Sequence, residues 1–163
     1  MTAPLHTEKR FQAELIESLL SQGWLLGTSS GYDQERALYP EDLLAFAREV
    51  NPKAWAKQEA TYKDRAASAL FDRAAEVVKK EGTLHLLREG ISDRGASFTL
   101  CQFPPDHAMN PEAITHYAKV RLRVVPELVY SQSKADHLDL AFFVNGIAVA
   151  TCELKPKFCN KLT

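Results

Sequence analysis

The feature that most constrains the fold is the stretch at residues 137–158, HLDLAFFVNGIAVATCELKPKF. Two runs, LDLAFFV and IAVATCELK, flank Asn145-Gly146. Asn-Gly is the strongest short hairpin signal, because a two-residue loop matched to the strand twist needs positive φ at both central positions. Both faces of each run are mostly apolar, which predicts a hairpin in the middle of a sheet with both sides covered.

Register decides what the charged residues of this stretch do. An ideal two-residue loop at Asn145-Gly146 pairs Asp139 with Cys152 and sends Glu153 to the opposite face, which argues against a shared site. A three-residue loop over 144–146, with Gly146 left-handed as a bulge, pairs Phe143 with Ile147 and Asp139 with Thr151. Asp139, Glu153 and Lys155 then share one face. The other face holds Leu138, Leu140, Phe142, Ala148, Ala150, Cys152 and Leu154 and carries no charge. The bulged register is the predicted one.

Two carboxylates and an ammonium beside a core are costly unless something uses them. Two readings stand. In one, Lys155 neutralises Asp139 or Glu153 as a salt bridge at the sheet rim. In the other, the two carboxylates bind Mg²⁺ and the lysine holds or activates a water, an arrangement suited to phosphodiester hydrolysis.

Along the rest of the chain, TEKRFQAELIESLLSQ at residues 7–22 reads as an amphipathic helix, with Thr7 as N-cap and Gly23 as its stop. A loop leads to Pro40, which opens the helix PEDLLAFAREV, and Pro52 marks a break. Residues 55–80 have high helix propensity and end at Gly82, and TLHLLREGI reads as a short helix closed by Gly90. SFTLCQFPP and KVRLRVVPELVYS read as strands. The chain is therefore expected to be one α/β domain over residues 1–163, mainly helical over 1–90 and mainly strands over 95–156, without repeats.

Its 20 Lys+Arg against 21 Asp+Glu provide no global attraction for nucleic acid, so any DNA contact must be local. No apolar run approaches the ~20 residues that span a bilayer and the N-terminus lacks signal-peptide order, so no membrane partner and a cytoplasmic location are expected. Cys101, Cys152 and Cys159 lack zinc or disulfide spacing and read as reduced thiols.

Asp139 followed fourteen residues later by Glu153-Leu154-Lys155 resembles the D…E-x-K pattern of PD-(D/E)xK nucleases. Together with TEKRFQAELIESLLSQGW, GYDQERALYPEDLLAFAREVNPKAW, LLREGI, FTLCQFPP and HYAKVRLRVVPELVYS, in that order, nearly the whole chain resembles the N-terminal nuclease region of the restriction subunit of type I restriction enzymes. The resemblance implies a restriction-endonuclease-like mixed sheet flanked by helices, with a helical insertion after the first helix. The family's core continues beyond E-x-K with a further helix and strand, which are missing here. An exposed apolar edge and self-association are expected in consequence.

By the same resemblance, Asp139 and Glu153 ligate the metal together with the Leu154 carbonyl, and Lys155 orients the water and stabilises the phosphate. An assisting acid on the first helix matches Glu8, with Glu14 as the fallback and Gln12 at the position where a further acid is common. The implied partners are double-stranded DNA and the modification and specificity subunits of a type I complex. ATP serves only a motor absent from this chain, which has no GxxxxGK[ST]. A catalytically silent fragment or docking module of the same subunit is the competing reading.

Among other candidates, Lys119, Arg121 and Arg123 alternate on KVRLRVV and either contact the DNA backbone or form a solvated strand face. His137, two residues before Asp139, stands near the expected phosphate. His6, His85, His107 and His116 have no metal-like spacing. Trp24 and Trp55 read as core anchors.

Overall fold

The computed structural model describes residues 3–106, 110–131 and 136–155. It is mixed α/β. Helix α1 (Ala3–Ser21) leads through β1 (Leu25–Leu26) to a 3₁₀ turn at Ser29–Gly31, then to α2 (Pro40–Val50) and α3 (Pro52–Tyr62). After a second 3₁₀ turn come α4 (Ala66–Glu81), α5 (Thr83–Glu89), β2 (Ile91–Asp93), β3 (Ala96–Phe98) and α6 (Pro111–Tyr117). The strands β4 (Leu122–Val129), β5 (His137–Val144) and β6 (Ile147–Cys152) follow. A four-stranded sheet has the order β1-β4-β5-β6, parallel at β1/β4 and antiparallel elsewhere, and β2 and β3 form a separate antiparallel pair.

Pro40 and Pro52 each sit in the first turn of a helix, where the missing N–H leaves no bond unmade. The single helix expected over 55–80 is two helices. Lys63 turns left-handed at φ 51°, and the chain folds back so that Trp55 of α3 and Ala66, Leu70 and Ala74 of α4 bury in one cluster with Leu86 and Phe98. Helix propensity is high throughout this stretch, but burying two apolar faces against each other outweighs one uninterrupted ladder.

The sheet is covered on both sides. Leu15, Ile16 and Leu19 of α1, with Trp24, pack on Val124, Leu140, Phe142, Cys152 and Leu154. Tyr39, at the start of α2, packs with Val125, Leu128, Ala141 and Phe143 on the opposite side. Trp24 meets Phe142 edge-on at 5.6 Å, a packing role.

The hairpin differs from its expected form. Val144 pairs with Ile147 across a two-residue Asn145-Gly146 turn, with φ 48° and 78° at the two loop residues. The bulge lies inside the strand instead: Phe143 pairs with Ala148 and Phe142 with Ala150, leaving Val149 as the extra residue. Leu140 then pairs with Cys152, the last residue of β6, one step out of the register that an ideal two-residue hairpin would give. A second correction concerns position: β5 is interior, but β6 is an edge strand, with Val149, Ala150 and Thr151 exposed.

Among the described residues, no helix is long and apolar enough to cross a membrane.

Candidate metal centre at the sheet rim

Strand β4 positions the first side chain. Pro126 lies beyond Arg123 and Val124, the two β4 residues that pair with β1, so its missing N–H interrupts no ladder on that side. Glu127 follows in the left-handed region at φ 48°, a conformation that costs a non-glycine residue about 1–2 kcal/mol. The kink lets Val125 and Leu128, which simple alternation would separate, bury in the same cluster. It leaves Glu127 at the rim, where His137 Nε2 lies 3.1 Å from Glu127 Oε2 and Gln12 Nε2 donates to Oε1 at 3.2 Å.

Asp139 stands beside them on β5. Its Oδ2 accepts from the Leu154 N–H at 2.6 Å, which ties the segment just after β6 to the carboxylate. Its main-chain carbonyl accepts from Gln12 Nε2 at 2.8 Å. Gln12 arrives there because it is the next member of the α1 stripe formed by Leu15, Ile16 and Leu19.

Glu127, His137 and Asp139 each bring one ligand atom within 4.8 Å of the others. Two carboxylates and an imidazole on a half-exposed rim suit a divalent cation, with water free to fill the remaining positions. The donor set is not specific for Mg²⁺: carboxylate and water suit Mg²⁺ and Mn²⁺, whereas imidazole favours later transition ions.

The other expected site residues lie as follows. Glu153 is outside this group of three; it and Lys155 are exposed and pair with each other at 3.5 Å. Leu154 is buried against Val124 and Leu140. Glu8 is half-buried on α1, one turn before Gln12, and Glu14 is exposed and pairs with Arg10 at 2.9 Å. It is Gln12, not either glutamate, that contacts the cluster through a hydrogen bond. His137 is half-exposed within the group. His107 and Cys159 lie outside the described residues.

Among the basic residues, Lys119 is half-buried and donates to the Glu49 carbonyl at 3.4 Å, and Arg121 pairs with Glu49 at 2.7 Å. Arg123 requires a correction. Its guanidinium is buried and gives two hydrogen bonds to Asp42, at 2.6 and 2.8 Å, and a third to the Leu26 carbonyl at 3.0 Å. It also lies over the Tyr39 ring. The hydrogen bonds to Asp42 hold its pKa above the ordinary arginine value. Arg123 therefore fastens α2 to the sheet and has no exposed face for phosphate.

Two members of the site are absent from the sequence-based expectation: Glu127 as a ligand and Gln12 as its partner. Both had a local signal. Glu127 is a charge placed directly after proline in the apolar run VVPELV, and Gln12 is a polar side chain on the buried stripe of α1.

No family model, no curated protein and no solved structure matches the chain.

Proposed function

We propose that this chain is a metal-dependent nuclease domain acting on phosphodiester bonds of double-stranded DNA, with the type I restriction subunit as the family its D…E-x-K pattern resembles. The observation that carries the reading is the convergence of Glu127, His137 and Asp139 at the sheet rim. Glu127 and Asp139 would hold the cation, with His137 completing the set or orienting Glu127. A bound divalent cation supplies Lewis-acid polarisation of a phosphoryl oxygen and a more acidic water.

The chain's own residues do the rest. The Leu154 N–H fixes the Asp139 carboxylate, so a cation would meet a carboxylate already oriented. Lys155 is an exposed point charge whose pairing with Glu153 is worth about 0–1 kcal/mol, so turning it toward a phosphate costs little. In this reading DNA is selected by modification and specificity subunits, and ATP is used by a motor elsewhere. Hydrolysis leaves a 3′ hydroxyl and a 5′ phosphate.

One observation favours the competing reading, a catalytically silent docking module of the same subunit: Glu153 and Lys155 neutralise each other outside the group of three. Supercoiled plasmid incubated with Mn²⁺ or Mg²⁺ separates the two. Nicking by the wild type that disappears in Asp139→Ala supports the nuclease. Mn²⁺ binding without nicking supports the silent module, and nicking that survives Asp139→Ala overturns the site.

A further inference from the structure

We infer that Gln12 is the positioning residue of the rim site, setting the Glu127 carboxylate and the Asp139 main chain in place from helix α1; this rests on the metal-centre reading above. A glutamine amide nitrogen has two hydrogens, and both are spent here on different strands: one on Glu127 Oε1 of β4 at 3.2 Å, the other on the Asp139 carbonyl of β5 at 2.8 Å. Both neighbours are acceptors, which determines the end of the amide that faces them. A carboxylate at position 12 could make neither bond.

The remaining contacts show what this achieves. Glu127 Oε2 faces His137, so the two oxygens of Glu127 are held from opposite sides, by α1 and by β5. Two carboxylates that approach a common point repel each other. A neutral donor on the Glu127 carboxylate, anchored by its second hydrogen to the Asp139 main chain, offsets part of that repulsion without adding a cation that would compete with a metal. Gln12 is carried to this place by the burial of Leu15, Ile16 and Leu19, so the packing of the first helix is coupled to the geometry of the ligands.

Gln12→Met is the informative substitution, because it keeps the length, the helix propensity and the apolar stripe while removing both donors. Two measurements are made: Mn²⁺ titration by calorimetry, and urea unfolding in EDTA for Gln12→Met, Glu127→Ala and the double variant. The expected result is Mn²⁺ binding weakened about 10- to 100-fold in Gln12→Met, the range seen when a partner behind a metal ligand is lost. The unfolding cycle is expected to be non-additive, with the second substitution losing less than it does alone. Unchanged Mn²⁺ affinity or strictly additive unfolding overturns the assignment. If the wild type itself takes up no Mn²⁺, the metal reading falls, and the EDTA cycle alone decides whether Gln12 holds Glu127.

Discussion

At Gly146 a Cβ would lie 2.2 Å from the Tyr39 carbonyl oxygen and 2.8 Å from the Leu43 nitrogen, and the backbone is left-handed at φ 78°. The Gly146 carbonyl also accepts the Tyr39 N–H at 2.8 Å, so the hairpin tip is seated on the first turn of α2. Its neighbour Asn145 is fully buried and bonded on both sides, accepting from the Arg121 N–H at 2.7 Å and donating to the Leu100 carbonyl at 2.9 Å. Asn-Gly is therefore required twice, by the turn and by the close approach. Gly146→Ala is expected to destabilise the fold by about 1–3 kcal/mol, a strained backbone plus a displaced helix start, measured by urea unfolding. A loss below about 0.5 kcal/mol, the range of an ordinary surface change, would contradict this account of the tip.

Between elements, Asp33 links the loop before α2 to α4. Its Oδ1 accepts the N–H groups of Glu35 and Arg36, its Oδ2 accepts the Arg36 guanidinium at 2.9 Å, and Arg36 also reaches Asp72 on α4 at 2.7 Å. Burial pushes the Asp33 carboxyl up, but the hydrogen bonds and charge of Arg36 outweigh it and hold the pKa below the ordinary value. A carboxyl depressed in the folded state contributes stability above its unfolded value of about 3.9, and that contribution disappears as pH falls through the lower folded value. Stability should thus decline on acidification below about pH 4, and Asp33→Asn should flatten that part of the profile, read from thermal unfolding at successive pH values. An equally steep acid limb in the variant would mean that other carboxyls control it. Helix limits could be read from the sequence where proline opens a helix, at Pro40 and Pro52, or glycine closes one, at Gly82 and Gly90, whereas α6, which opens at Pro111, is absent from the sequence-based expectation. The break at Lys63 could not be read, because it follows from α3 and α4 packing on each other and from no local breaker residue.

Over the whole molecule, the rim site is assembled by three separated segments: α1 through Gln12, β4 through Glu127, and β5 through His137 and Asp139. A cation held by Glu127, His137 and Asp139 bridges β4 and β5 in the folded chain and not in the unfolded one, so it should stabilise the entire fold. Mn²⁺ at a hundredfold excess over its dissociation constant adds about 2.7 kcal/mol, which for a chain of this length raises Tm by several degrees relative to EDTA. Asp139→Ala should abolish the shift. An identical Tm with Mn²⁺ and with EDTA in the wild type would leave Glu127, His137 and Asp139 as a polar rim without a metal.

Alternating apolar residues, the Asn-Gly turn, helix-opening prolines and the spacing of Asp139 to Glu153 and Lys155 are local patterns, and they determined a hairpin at Asn145-Gly146, the limits of α2 and α5 and the idea of a carboxylate site from sequence alone. Tertiary structure decided what those patterns do together. It moved the bulge from the turn to Val149, brought Glu127 and His137 to Asp139, committed Arg123 to Asp42, and brought Gln12 to Glu127. Asp42 and Arg123 are 81 residues apart, and Gln12 and Glu127 are 115 apart. Periodicity reports which side of an element is apolar; it carries no information about which distant element will cover it. The left-handed Glu127 is the sharpest case. Its backbone conformation is unfavourable by itself and is held because Val125 and Leu128 both bury in the same core, with Glu127 bonded at the rim.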